Sequence, residues 1–257
     1  MLRWKMSVCP AAVLLLSVCQ SANAETADTS ALAYQPLDKQ YSSPDCQDEH
    51  CSTVKISALT FPDNSALTEQ VQERLLALAL GITDGDDTPA DDWDHFADEF
   101  FHRAEEDNTR LPHPMASEAQ LSASVFSRQN DLLVLELDSY VIYAGQAHGL
   151  PSTQFMVIDE RLNEVVTLDD MLMAGGQEGF DEALAEAHER WMSEQDVGED
   201  FASSWPFTDS TNVAPLEKEW MVKYNVYEIA PYVMGQPELT IPVEELKGIV
   251  EPRYLGQ

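Results

Sequence analysis

Three stretches of this 257-residue chain carry side chains whose types and spacing could do chemistry. Gly145-Gln146-Ala147-His148-Gly149 presents an imidazole, a group that titrates near neutral pH, in a loop of small residues. Leu168-Asp169-Asp170-Met171-Leu172 sets two carboxylates side by side. Tyr227-Glu228-Ile229-Ala230-Pro231-Tyr232 crowds two phenols and a carboxylate around a proline. An imidazole oriented by a carboxylate can activate water, which is the chemistry a hydrolase of envelope polymers would need from His148. His148, Tyr227, Glu228 and Tyr232 together equally suit a ligand-binding surface, with apolar ring faces and polar tips.

Each group also has a plain structural use. A histidine can hydrogen-bond its own loop, and acids at a helix start stabilise the helix dipole whatever the protein does. Buried tyrosines commonly tie down a turn through their hydroxyls. Catalytic signatures with a stricter grammar, G-x-S-x-G, H-E-x-x-H, the P-loop and G-x-G-x-x-G, do not occur. His50 beside Cys46 and Cys51 supplies too few ligands for a metal. Asp84-Gly85-Asp86-Asp87 lacks the ligand order of a calcium loop. His95 and His102, seven apart, flank an aromatic stripe that reads as core. The expectation is therefore no metal and no cofactor.

The elements that must position these groups follow from periodicity. Thr53 to Phe61 reads as a strand, and Gln120 to Tyr143 as two strands around a turn at Ser127 to Asp131. Thr153 to Asp159 and Glu164 to Thr167 continue the β pattern, with Phe207 to Val213 a weak strand and Glu219 to Ile229 a strong one. Gly235-Gln236-Pro237 turns the chain into a short strand at Glu238 to Ile241. Helical spacing joins Leu67, Val71, Leu75, Leu76 and Ala79 between a cap at Pro62-Asp63-Asn64 and a stop at Gly81. The same spacing joins Trp93, Phe96, Ala97, Phe100, Phe101 and Ala104, opened by Thr88-Pro89, and then Phe180, Leu184, Ala187, Trp191 and Met192. Thr167 or Asp169 opens a short helix, and Pro242 to Val250 reads as a last one.

Met1 to Ala24 has the positive start, apolar core and Ala22-Asn23-Ala24 ending of a signal peptide. Its removal takes Arg3 and Lys5, so 46 acids face 12 bases and the charge falls from −32 to −34. That field repels nucleic acid and anionic lipid and favours a basic partner. No later run is long and apolar enough to cross a membrane. Cys46 and Cys51, in an oxidising compartment, read as a local disulfide contributing on the order of 2–3 kcal/mol at most. The expected location is the periplasm or the exterior.

Gly145 to Gly149, Leu168 to Leu172, Tyr227 to Tyr232 with Gly235, and Ile241-Pro242 occur in an order and spacing that resembles a known family. It is the C-terminal domain shared by the extracytoplasmic part of RsiV-type anti-sigma factors and by some peptidoglycan deacetylases, a domain of unknown function in many exported bacterial proteins. The family pattern is roughly G-x-A-H-G, L-x-D-L-F and Y-E-I-A-P-Y-x-x-G, and Met171-Leu172 here replaces leucine and an aromatic. The Cys-x4-Cys, strand and helix upstream resemble the small domain that precedes it. The resemblance implies an α+β fold, an antiparallel sheet with helices packed on one face in two intimately joined subdomains, and binding without catalysis. In the anti-sigma branch the domain binds lysozyme, a basic protein, so lysozyme or cell-wall glycan is the partner implied. Neither a sigma-binding segment nor a deacetylase domain accompanies it here. The expected layout is signal peptide 1–24, linker or arm 25–45, N-terminal α+β subdomain 46–143 and C-terminal RsiV-like domain 144–257.

Overall fold

The structure, a computed structural model, describes residues 31–44, 46, 51–81 and 88–256. The expected signal segment at 1–24 and the acidic stretch at 84–87 lie outside the described residues. In chain order the elements are β1 (Gln35–Ser42), β2 (Thr53–Thr60), α1 (Ser65–Ala79), α2 (Trp93–Asn108), β3 (Glu118–Gln129), β4 (Leu132–Ile142), β5 (Leu150–Asp159) and β6 (Glu164–Val166). They continue with α3 (Leu168–Met171), α4 (Gln177–Glu194), α5 (Glu199–Ser204), β7 (Val213–Pro215), β8 (Glu219–Lys223) and β9 (Glu238–Pro242). Strands β1 to β6 form one sheet in chain order, and β7 to β9 form a second.

The α+β class holds, with two departures from the expected layout. First, β2 and β3 run parallel, although every other pair is antiparallel. The cause is the connection: α1 and α2 lie between β2 and β3, and a crossover of that length returns the chain in its original direction. Second, helices lie on both faces of the large sheet. On β4, Leu133, Leu135 and Leu137 point into a core with Val71, Leu75, Phe96 and Phe100 of α1 and α2. From the same strand Leu132 and Val134 point the other way, toward Phe180 and Leu184 of α4 and Trp220 and Ile241 of the small sheet. A strand buried on both faces reads as a continuous apolar run, as Leu132 to Leu135 does. The sheet is thus a partition between two cores, and it passes unbroken from β4 into β5 across position 143.

Local chemistry sets the boundaries. Asn64 caps α1 by accepting from the Leu67 N–H at 3.2 Å. Asp92, rather than Thr88, caps α2 by accepting from His95 at 2.8 Å. Thr167 and Asp170 form a reciprocal capping box on α3. Cys46 and Cys51 are joined as a disulfide with Cα atoms 5.6 Å apart, between β1 and β2. Within the stretch expected as a linker or arm, Gln35 to Ser42 is a strand; it alternates only weakly, with Leu37 and Tyr41 half-buried against the core and Lys39 between them. Where a helix over 242–250 is expected, Pro242 ends β9 and residues 243–250 form successive turns. The strand expected to reach Ile229 ends at Lys223.

The two sheets are fastened along one edge. β5 pairs with β6 only over Val157 to Asp159, so the backbone groups of Thr153 and Phe155 on that edge face no strand. Asn225 Oδ1 accepts from the Thr153 N–H and Asn212 Oδ1 from the Phe155 N–H, both at 2.7 Å. Asn212 Nδ2 donates to the carbonyls of Thr153 and Lys223 at 3.0 and 2.9 Å. Lys223 Nζ sits 2.8 Å from Glu136 and 3.3 Å from Glu238. Burial pulls the Lys223 ammonium down, but Glu136 and Glu238 together outweigh it and leave it raised. Nearby, Asp138 Oδ1 accepts from the Thr153 hydroxyl at 2.7 Å.

Asn212→Ala removes three hydrogen bonds and strands an N–H and two carbonyls at this seam. It is expected to cost about 2–4 kcal/mol, read as a shift in urea midpoint without a change in slope. Asp138 behaves in the opposite sense. Burial raises its carboxyl above the ordinary range, with the Thr153 hydroxyl pulling it back. The folded state therefore holds the proton more tightly than the unfolded one, and stability falls as pH rises from the ordinary carboxylate range through the raised value. Asp138→Asn should raise the melting temperature at pH 7, and the gain should shrink to nothing as pH falls below about 4.

Candidate functional site

The turn after β8 is built by its own residues. Tyr224 donates its N–H to the Pro237 carbonyl at 2.8 Å and its hydroxyl to the Thr208 carbonyl at 2.7 Å. The Asn225 N–H then donates to Glu228 Oε2 at 2.7 Å, and the Tyr227 N–H to the Ala230 carbonyl at 3.1 Å. Val226, Ile229 and Ala230 are buried, which pins the turn and pushes Tyr227 outward. Tyr227 has φ 71°, a left-handed conformation that costs a non-glycine residue about 1–2 kcal/mol. Pro231, at φ −68°, starts a single 3-10 turn over Tyr232–Met234, and Gly235 closes it at φ 72°.

His148, Tyr227 and Tyr232 are brought together. The His148 ring stacks on Tyr232 with centroids 3.9 Å apart and planes 24° apart. Tyr232 donates its hydroxyl to the Gly149 carbonyl at 3.0 Å. At Gly149 a Cβ would lie 2.4 Å from the Tyr140 ring, so a larger residue would have to displace that ring. Tyr227 continues the row, 5.8 Å from Tyr232, with its hydroxyl 3.5 Å from His148 Nε2. Trp205, at the end of α5, stacks on the far side of Tyr227 at 6.4 Å and 26°. Tyr227 is 40 % exposed and the neighbouring Val233 88 %, so the four rings form a strip at the surface.

Glu228 flanks the strip, but its carboxylate is spent on the turn's backbone. The ring nitrogens of His148 meet the Gly149 carbonyl and the Tyr227 phenol instead of a carboxylate. Asp170 serves its capping box. His95 and His102 each face their own i+4 glutamate, Glu99 at 3.3 Å and Glu106 at 3.9 Å. Among the described residues no group of three His, Cys, Asp or Glu is placed to hold a metal. Ser52-Thr53-Val54-Lys55 spells S-x-x-K, yet it runs into a strand, with Ser52 accepting from the Ser117 N–H and Lys55 paired with Glu118.

Sequence reasoning passed over two members of this region. Trp205 belongs to no motif and ends a helix of six residues, too short to show a period. Arg74 lies on α1 and lines, with Tyr227, Glu228 and Asn225, an open groove of about 550 Å³ beside the strip.

The family described as "Protein of unknown function (DUF3298)" matches residues 169–244. A crystal structure of a DUF3298 family protein from Pseudomonas aeruginosa PAO1 is similar at a TM-score of 0.76 and 31% identity, covering 88% of this chain and 98% of that one. A member of the same family from Bacteroides fragilis NCTC 9343 shares the fold at a TM-score of 0.63 and 19% identity, covering 88% of this chain and 96% of that one. No curated protein matches the chain. The matched region contains the turn and both of its tyrosines, and the Pseudomonas likeness extends over both cores: the chain belongs to the DUF3298 family.

Proposed function

We propose that this chain is an exported, non-enzymatic binding protein of the cell envelope that uses the Trp205–Tyr227–Tyr232–His148 strip to hold a basic protein such as lysozyme. The observation that carries this reading is a row of exposed rings on a chain with a charge of −32. Tyrosine and tryptophan supply large contact areas at low entropic cost and dominate binding hot spots. An acidic surround steers a basic partner toward them and adds salt-sensitive on-rate. The likeness to RsiV-type domains points to the same class of partner, and the signal pattern and the Cys46–Cys51 disulfide agree with export. Cell-wall glycan is the second reading, favoured by the stacked flat faces of His148 and Tyr232.

Titration with lysozyme at low salt tests the proposal. Micromolar or tighter binding that weakens with salt is expected, and Trp205→Ala should weaken it about 30-fold, some 2 kcal/mol. Tyr227→Gly should weaken it similarly while the protein stays folded, because glycine accepts φ 71° more easily than tyrosine. Binding to soluble glycan fragments alone would move the proposal to its second reading. Cell-wall degradation that disappears in His148→Ala would replace binding by hydrolysis.

A further inference from the structure

Arg74 is half-buried on α1, beside the stripe that α1 sends into the core. Nine other bases form ion pairs: Lys39, Lys55, Arg110, Arg128, Arg161, Arg190, Lys223, Lys247 and Arg253. Arg74 makes no hydrogen bond and no ion pair among the described residues. Arg103 and Lys218 are also without a carboxylate, but both are exposed and Arg103 lies over the Tyr143 ring; Arg74 is the half-buried one of the three. Its position is also costly: burial pulls its pKa below the ordinary value, with only the charge of Glu73 acting against that.

Arg74 stands between two spaces. One is the open groove of about 550 Å³, where Ser152, Gln154 and Glu228 stand beside the apolar Leu78 and Val226, the Asn212 and Asn225 amides being engaged at the seam. The other is a hole of about 130 Å³, walled by Phe155, Val157, Val166, Leu168, Met171 and Val213. Arg74, Gln154 and Asn212 line both. A cation lining both spaces, polar groups on one side and a smaller recess of apolar and threonine walls on the other suit a ligand with a charged head and a short branch.

We propose that this α1–β5 groove is a second binding site, in which Arg74 holds the carboxylate of a small monoanionic ligand with a short apolar side group, such as the C-terminus of an amino acid or short peptide. A guanidinium grips a carboxylate through two parallel N–H donors. One cation within a strongly negative field suits one negative charge and disfavours a phosphate dianion. The recess accommodates a branch the size of a valine side chain and excludes a large ring. The groove shares Tyr227 with the aromatic strip, but the site does not rest on what the strip binds.

The probe is N-acetylvaline, titrated into the full chain by NMR up to about 10 mM, with N-acetylvaline amide and inorganic phosphate as comparisons. The expected result is saturable binding of the acid, at least tenfold weaker in Arg74→Gln and intermediate in Arg74→Lys, with neither the amide nor phosphate competing. Arg74→Gln should keep or raise the melting temperature, because the side chain gives up no partner. Trp205→Ala, outside the groove, should leave N-acetylvaline binding unchanged even where it abolishes lysozyme binding. Failure of the acid to bind overturns the site, as does equal binding by the amide or by Arg74→Gln. Equal competition by phosphate overturns the assignment of a monocarboxylate.

Discussion

The unfinished edge of β5 is the constraint on which the rest of this structure depends. A strand that is buried on both faces cannot leave backbone groups unpaired along its side without a cost of about 1–3 kcal/mol for each. β6 covers only the last three residues of that edge. The remainder is completed by two side chains, since the Asn212 and Asn225 amides imitate the peptide groups of a missing neighbour. Their own backbones belong to the segments flanking the small sheet, so closing the edge also fixes where that sheet stands. Two layers that share no strand ladder are in this way locked at one register.

The aromatic strip inherits its geometry from that lock. Asn225 is both the partner of Thr153 and the first residue of the turn that displays Tyr227. Gln236, past the end of that turn, returns to Asn225 at 2.9 Å and to the Thr153 hydroxyl at 3.2 Å. His148 arrives from the other direction, on the loop between β4 and β5, where Gly149 lets Tyr140 close in underneath. Neither loop could aim its rings unless β5 held both. The negative field acts on top of this frame: it does not shape the strip, but it selects what approaches.

The sequence made the interior far more legible than the edges. Helices α1, α2 and α4 were readable because each presents one apolar face at a 3.6-residue period, and β3 to β5 because their buried runs are long. β1 was not, since its alternation is carried by Leu37 and Tyr41 alone, both only partly buried, with Lys39 between them. The parallel pair went unseen because strand direction depends on what the crossover packs against. Helices on both faces were unreadable for a related reason: a run such as Leu132 to Leu135 shows that both sides are buried without naming the cover. At the site, His148, Tyr227 and Tyr232 were legible through their turn chemistry. Trp205 and Arg74 are contributed by elements remote in the chain, and only the tertiary structure gives them neighbours.

The Tyr227 to Tyr232 motif divides its labour, and that division bears on whether it is architecture or site. Ile229 and Ala230 are fully buried, Pro231 sets the turn, and Glu228 closes it, all of which the fold needs. Tyr227 contributes almost nothing of that kind. Its phenol reaches His148 only at 3.5 Å, its ring is 40 % exposed, and its φ of 71° is one that asparagine or glycine would adopt at lower cost. Its contacts are with other surface rings rather than with the core, so the strain is offset at the surface if anywhere. What the strained backbone secures is a surface arrangement: the Tyr227 ring is held between Trp205 and Tyr232, with His148 stacked beyond as backing.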